Sequence, residues 1–313
     1  MMRPHAAGRT APLEIEVKLI VCAPEPERVA AAVADLERIG PYRLAPGQRQ
    51  QIMDRYFDTP DGALDRKGLG LRLRHQDERC RLTLKGPSRS ERPELAQRME
   101  LELPWGPKGL GRVLEALCAE GIALPPATAP GRHEPGAAAL ARHGLVPIQE
   151  RETLRRVRGV FRVQTPALIP LAEMAIDAVA YGWAAGTVGH HEIEIEACPG
   201  TGTSLLLALA GHLRTRFTPF LQPWAFSKLA TGHAVAQLMA AGDCDGLVDD
   251  ARQLLPPAYD RLRRMLSTGA FPQRPHTPGR PEAPSPRAPP CQPPPPARPK
   301  GPDCGGAWGS SSF

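Results

Sequence analysis

Residues 13–22 read Leu-Glu-Ile-Glu-Val-Lys-Leu-Ile-Val-Cys, and apolar and charged side chains alternate strictly as far as Leu19. Side chains of a β-strand point in turn to the two faces of a sheet. The stretch therefore predicts a strand with Glu14, Glu16 and Lys18 on one face and apolar residues on the other. A strand with one solvated face gives the same pattern, so this strand alone does not identify a functional face.

Four later segments, at 69–75, 79–85, 98–103 and 191–196, show the same alternation. Their polar positions are almost all ionisable: Arg72, Arg74, Arg81, Lys85, Arg98, Glu100, Glu102, Glu192, Glu194 and Glu196. Three like charges in a row in the last segment repel one another across a sheet face. A bound cation is the usual remedy, because carboxylate oxygens are the preferred ligands of Mg²⁺ and Ca²⁺.

The charged strands predict an α+β fold whose core is a closed antiparallel barrel. Further strands are expected at 51–57, 150–164 and 171–181, and helices at 26–39, 108–120, 202–215, 226–241 and 247–267. In such a barrel the apolar faces point outward beneath the helices, and the charged faces converge on a central cavity. A polyanion that also chelates a divalent metal would satisfy both charge sets, because arginines bind phosphate oxygens and carboxylates hold the metal.

Composition divides the 313 residues into four parts. These are a loose arm at 1–12, the barrel domain at 13–241, a short helical extension at 242–268 and a tail at 269–313. The tail is crowded with proline, including Pro293 to Pro296, and is expected to be disordered or extended because it cannot bury a core.

Several classes of protein are disfavoured by the composition. The seven cysteines are odd in number and include no C-x-x-C pair, which argues against a disulfide framework and a thiolate zinc site and predicts free thiols in a reducing cytoplasm. No apolar run approaches the roughly 20 residues that cross a bilayer, so no membrane association is expected. The net charge of +6 favours an anionic partner, but no nucleic-acid-binding signature accompanies it.

The order of these motifs resembles the CYTH, or triphosphate tunnel metalloenzyme, superfamily. Its opening E-x-E-x-K motif corresponds to residues 14–18, and its second block to Tyr56-Phe57-Asp58-Thr59-Pro60 followed by 71–74 and 82–86. Asp177 matches the acidic residue of a late strand, residues 192–196 match an E-x-E-x-E strand, and Ser227-Lys228 match a closing S-K pair. The resemblance covers about residues 13–241. It implies a closed eight-stranded antiparallel tunnel flanked by helices.

The resemblance also implies roles for individual residues. Those expected to bind phosphate and support catalysis are Lys18, Arg72, Arg74, Lys85, Arg156 and Lys228. Arg155 and Arg158 lie in the same strand as Arg156 and are alternatives to it. The residues expected to hold Mg²⁺ or Mn²⁺ are Glu14, Glu16, Asp177, Glu192, Glu194 and Glu196. Glu100 and Glu102 are expected to line the tunnel. Proteins that resemble this one often continue into a helical CHAD domain, of which only residues 247–267 give a hint, so 242–268 is interpreted as a possible remnant of one.

The expected activity is metal-dependent hydrolysis of a triphosphate, with inorganic triphosphate as the first choice of small-molecule substrate. Water attacks a phosphoryl group in line, with no covalent enzyme intermediate. A thiamine triphosphatase and a class IV adenylate cyclase are alternatives on the same scaffold. A polyphosphate-binding module without turnover is an alternative of another class, although binding alone needs mainly the cationic residues. No feature of the sequence predicts an oligomeric state.

Overall fold

The structure is a computed structural model that describes residues 13–268, apart from positions 90, 91, 93, 129, 132, 133, 164–168, 184, 185 and 243. The predicted arm at 1–12 and the predicted tail at 269–313 lie outside the described residues. The strands are β1 (Leu13–Val21), β2 (Arg38–Ile39), β3 (Tyr42–Leu44), β4 (Gln48–Asp58), β5 (Gly70–Gln76), β6 (Arg79–Lys85), β7 (Leu95–Pro104), β8 (Val146–Arg162), β9 (Ala172–Trp183), β10 (Gly186–Ala197) and β11 (Leu221–Pro223). The helices are α1 (Pro26–Ala34), α2 (Ala63–Arg66), α3 (Pro107–Ala119), α4 (Gly136–Arg142), α5 (Thr203–Arg216), α6 (Lys228–Ala240) and α7 (Pro256–Ser267).

Eight of these strands form a closed antiparallel barrel. Their order around the barrel is β1, β7, β6, β5, β4, β8, β9 and β10, and β10 pairs back to β1 through Glu16 to Ile20. The strand pair β2–β3 extends the sheet beside β8, and β11 pairs with the end of β1. The predicted fold class is therefore confirmed.

The apolar faces of the strands point outward and are covered by helices. Leu71 and Leu84 of the barrel pack with Leu110 and Val113 of α3, and all four are buried. The opposite side of the barrel is covered by α1 and α5 in the same way. Each fully buried leucine or valine contributes roughly 1.5–3 kcal/mol. This outward burial leaves the barrel interior to the charged side chains.

Two predicted helices are shorter than expected, each for a physical reason. The helix predicted at 26–39 ends at Ala34, where Arg158 donates hydrogen bonds to the carbonyl oxygens of Ala34 and Leu36. A basic side chain at this end satisfies carbonyl groups that have no partner within the helix. The helix predicted at 247–267 begins only at Pro256, since proline is tolerated in the first turn and not in the interior of a helix.

A further cluster of buried apolar residues joins α7 to the barrel. Tyr259 and Leu262 of α7 are buried against Trp224 and Val235, so residues 256–267 pack on the same body as the strands. None of the helices in the described part of the chain has the length and apolarity that crossing a bilayer requires. The five cysteines of that part are free thiols, as predicted.

Candidate functional site

A cavity of about 910 Å³ occupies the barrel interior. Each of the eight barrel strands contributes at least one lining residue, and the start of α6 adds Ser227 and Lys228. The lining residues predicted from the sequence are Glu14, Glu16, Lys18, Arg72, Arg74, Lys85, Glu100, Glu102, Glu194, Glu196 and Lys228. The structure therefore brings together residues that are more than 200 positions apart in the chain.

A buried acidic cluster lies behind the wall of this cavity, and of its members only Glu194 is among the lining residues. Asp177, Glu192 and Glu194 each place a carboxylate oxygen within 4.8 Å of the others. Lys18 Nζ lies 3.0 Å from Glu194 Oε1, and Lys228 Nζ lies 2.6 Å from the same oxygen and 3.1 Å from Asp177 Oδ2. Burial would raise the pKa of Glu194, but the two lysines outweigh it and hold that pKa well below its ordinary value. Glu194 is therefore ionised, and the cluster already has cations against its carboxylates.

The positions of Lys18 and Lys228 follow from local structure. Lys18 of β1 lies opposite Glu194 of β10 in the strand register. Lys228 is the first residue of α6, and the preceding Ser227 caps that helix by accepting a hydrogen bond from the Ala230 N–H at 3.1 Å. The cap fixes where the helix begins and so places Lys228 over the acidic cluster.

A second acidic group lies at Glu14, Glu16 and Glu196. Glu14 accepts hydrogen bonds from Lys85 at 2.7 Å and Arg98 at 2.6 Å, and Glu16 accepts one from Arg98 at 2.8 Å. Glu196 lies directly opposite Glu16 in the register and forms no ion pair with any described residue. Partial burial, together with Glu14 and Glu16, raises the pKa of Glu196 to about 8. Unlike the buried acidic cluster, this group includes a carboxyl, that of Glu196, that no cation of the described residues balances.

The opposite wall carries surplus positive charge around Asp54 of β4. The Asp54 carboxylate, which is 2% exposed, accepts two hydrogen bonds of 2.8 Å from Arg74 and one from Arg151. Arg72 Nη1 lies 3.7 Å from the same carboxylate. Burial would raise the pKa of Tyr56, but neighbouring Arg151 and Arg72 outweigh it and lower that pKa to about 8. A tyrosine pKa that is lowered in this way indicates a strongly positive local potential.

Glu100 and Glu102 of β7 line the cavity between these groups. Lys85 Nζ lies 3.1 Å from Glu100, and Arg81 Nη1 lies 2.7 Å from Glu102. Arg72 is 3.5 Å from Glu100 and 3.7 Å from Glu102. Their placement agrees with the prediction that they line the barrel, and they balance cations of β5 and β6.

The prediction that Arg156 faces the cavity is wrong. Arg156 lies on the outside of the barrel, where it pairs with Asp35 at 3.0 Å. Arg155 faces inward instead and binds Asp177 through hydrogen bonds of 2.8 and 2.6 Å and Glu194 through one of 2.7 Å. The register explains this outcome, because Arg155 lies directly opposite the inward-facing Asp177.

Sequence reasoning missed three features of the site. Arg151 of β8, Asp54 of β4 and the contacts of Arg98 with Glu14 and Glu16 were not predicted, and Arg155 was named only as an alternative to Arg156. Charged residues occupy both faces of β8, so its alternation is hidden. For Arg98, the alternation of 98–103 already placed the side chain on the charged face and was a usable indication.

Comparison with known proteins supports the motif assignment. A family model described as the CYTH domain matches residues 12–208. The chain belongs to the CYTH domain family. No curated protein matches the sequence of this CYTH chain.

Several solved structures resemble this CYTH protein. One is HpAC1 of Hippeastrum, described as an adenylyl cyclase candidate with a dominant triphosphatase activity, at 19% identity and a TM-score of 0.48, covering 71% of this chain and 96% of that one. A candidate adenylate cyclase of Bacillus halodurans follows at 18% identity and a TM-score of 0.39, covering 69% and 96%. An RNA triphosphatase of S. pombe has 13% identity and a TM-score of 0.28, covering 86% and 87%. These likenesses are weak, and the family assignment rests on the family model.

Proposed function

We propose that this CYTH protein hydrolyses a triphosphate in a metal-dependent reaction, and that inorganic triphosphate is its substrate. The observation that carries the proposal is the separation of charge within one cavity. Arginines outnumber carboxylates around Asp54, where Arg72, Arg74 and Arg151 lie, whereas Glu196 beside Glu14 and Glu16 has no cation partner among the described residues. A triphosphate chelating a divalent cation complements both walls at once.

Two groups of carboxylates are candidate sites for a divalent cation. Asp177, Glu192 and Glu194 are close enough together, but Lys18 and Lys228 already lie on them. Glu14, Glu16 and Glu196 offer oxygen ligands, which Mg²⁺ and Mn²⁺ prefer, and a bound cation would replace the proton that the raised pKa of Glu196 favours. The fit therefore favours this second group, with Glu194 beside it.

The protein's own residues divide the work of phosphoryl transfer. Guanidinium groups of Arg72, Arg74 and Arg151 bind the oxygens of the phosphate chain, and Lys85 adds a point charge. Glu14, Glu16 and Glu196 would hold a divalent cation, which would supply Lewis-acid stabilisation of the phosphate charge. A carboxylate of the same wall accepts the proton of the attacking water. Positioning and electrostatic stabilisation account for most of the catalysis of such reactions.

The function is tested by measuring phosphate release from inorganic triphosphate, thiamine triphosphate and ATP, each with Mg²⁺ and with Mn²⁺. We expect metal-dependent release that is fastest from inorganic triphosphate. Faster turnover of thiamine triphosphate, or formation of cyclic AMP from ATP, would replace the proposed substrate by one of those compounds. Triphosphate that raises the melting midpoint without being hydrolysed would indicate a binding module.

Glu196→Gln provides the matched variant for the metal. It keeps the shape of the side chain and removes repulsion from Glu14 and Glu16, so we expect no loss of stability. It should require much more Mg²⁺ for half-maximal rate, and Mg²⁺ alone should raise its melting midpoint less than that of the wild type. Equal Mg²⁺ responses of the two proteins in both measurements would reject a metal at this group.

A further inference from the structure

Asp54 is the common acceptor for the cations of the positive wall. It lies on β4 opposite Arg74 on one neighbouring strand and Arg151 on the other. Arg74 binds it through Nε and Nη2, and Arg151 binds it through Nη2, which also donates to the Tyr56 hydroxyl at 3.1 Å. Strand β4 therefore holds the guanidinium groups of β5 and β8 on one buried carboxylate.

The contacts with Asp54 leave other N–H groups of these arginines available. Arg151 Nε and Nη1 and Arg72 Nε are buried, and they have no hydrogen-bond acceptor among the described residues. A buried donor without an acceptor is costly. Three arginines and one aspartate have a formal surplus of two positive charges, and Glu100, 3.5 Å from Arg72, reduces it to one. Both features suit a ligand that brings several anionic oxygens, as a phosphate chain does.

We propose that Asp54 is a positioning residue, which fixes Arg72, Arg74 and Arg151 so that their remaining N–H groups face the phosphate chain. This inference rests on the proposed function. The Arg74 guanidinium is held at Nε and Nη2 by the carboxylate and cannot rotate about its stem, so its other N–H groups keep one direction. Arg151 is held through Nη2 alone, and Arg72 is attracted by the carboxylate from 3.7 Å. The carboxylate would thus act on the substrate only through the arginines.

A simpler view of Asp54 makes the opposite prediction. If the carboxylate were only a negative charge near the site, its removal would strengthen the attraction for phosphate. If it positions the arginines, its removal weakens substrate binding although the net positive charge increases. The direction of the change in the Kd for triphosphate therefore separates the two views.

The experiment compares Asp54→Asn and Asp54→Glu with the wild type. The first keeps the shape without the charge, and the second keeps the charge but moves it by one methylene. The matched control is Asp58→Asn, on the same strand. Asp58 is also buried, and it accepts hydrogen bonds from the N–H groups of Leu64 and Asp65 outside the cavity. Melting midpoints, kcat, KM, the Kd for triphosphate without metal and the half-saturating Mg²⁺ concentration are measured for each.

We expect both Asp54 variants to lose at least tenfold in kcat/KM and to bind triphosphate more weakly, since a displacement of about 1 Å can cost 100-fold. The half-saturating Mg²⁺ concentration should stay within about twofold, because the acidic group is on the opposite wall. Asp58→Asn should lower the melting midpoint and leave KM unchanged. If Asp54→Asn does not fold, Asp54→Glu is judged by the same criteria.

Unchanged or tighter triphosphate binding in the Asp54 variants, in an active wild-type background, overturns the inference and leaves the proposed function standing. The inference is also overturned if Asp58→Asn lowers the melting midpoint as much as the Asp54 variants and shows the same kinetic losses. Such losses would reflect general destabilisation. A wild type that neither binds nor hydrolyses triphosphate overturns the proposed function and this inference with it.

Discussion

At the residue scale, the neighbours of each ionisable side chain in the barrel interior determine its pKa. Glu194 and Glu196 are two positions apart on the same face of β10, yet their pKa values shift in opposite directions. Burial disfavours both carboxylates, but Lys228 and Lys18 contact Glu194, whereas Glu14 and Glu16 are near Glu196. Position in the barrel, not residue type, therefore decides which glutamate is balanced by lysines and which has no cation partner.

Tyr56 offers a pH-dependent test of the positive wall. Its pKa of about 8 lies below the ordinary value of 10, so the folded protein favours the tyrosinate form. The resulting stabilisation is fully present above pH 10 and is lost as the pH falls through 8. Relative to Tyr56→Phe, we expect the wild-type free energy of unfolding to rise between pH 8 and 10 by roughly 2 kcal/mol, following 1.36 kcal/mol per pKa unit.

The matching optical measurement is a titration of tyrosinate absorbance. One step near pH 8 should be present in the wild type and missing in Tyr56→Phe. Inorganic triphosphate should move that step to higher pH, because the phosphate neutralises Arg72 and Arg151. A wild-type titration without any step below pH 9 would contradict the surplus of positive charge assigned to this wall.

At the element scale, β8 allows a comparison between two adjacent arginines. Arg155→Ala removes one of the cations that balance the buried carboxylates of Asp177 and Glu194, and should lower the free energy of unfolding by up to about 3–5 kcal/mol. Arg156→Ala removes only a surface pair with Asp35 and should cost less than about 1 kcal/mol. Denaturant unfolding of both variants measures the difference. Equal losses would mean that the inward and outward faces of β8 are assigned incorrectly.

The same strand shows how far sequence reasoning extends to the site. Strands such as β1, β5 and β6 alternate between charged and apolar residues, so their inward-facing side chains could be predicted from period 2 alone. Strand β8 has arginine at positions 151, 155, 156 and 158, and the faces cannot be distinguished without its pairing partners. Asp54 was missed for a related reason, since β4 does not separate polar from apolar positions.

The secondary-structure elements also differ in whether local sequence or contacts with distant residues specify them. Long amphipathic segments such as α3 were predicted to within about a residue, because their own apolar spacing specifies them. The strands β2, β3 and β11 have two or three residues each and depend on the edge of a neighbouring strand. The end of α1 depends on Arg158, more than 100 residues later in the chain.

At the scale of the whole molecule, two truncations test where the folded domain ends. Removing residues 269–313 should leave the melting midpoint nearly unchanged and turnover within a few-fold, because their proline-rich composition cannot bury a core. Removing residues 244–313 also deletes α7, and with it the burial of Tyr259 and Leu262. Large buried side chains contribute roughly 1.5–3 kcal/mol each, so this variant should be destabilised by several kcal/mol. A hundredfold loss of turnover in the shorter truncation would contradict the first expectation.

The closure of the barrel has a consequence for how the protein is made. Strand β1 leaves the ribosome first, but its neighbours are β7 and β10, and Glu16 is paired with Glu196. The barrel therefore cannot close until about 200 residues have been synthesised, and until then β1 presents an edge open to other chains. Pairings between such distant residues also slow folding, because a long loop must be ordered before they form. Strand β1 closes the barrel by pairing with β10. Its carboxylates therefore come into register only after β10, the last barrel strand in the chain, has been synthesised.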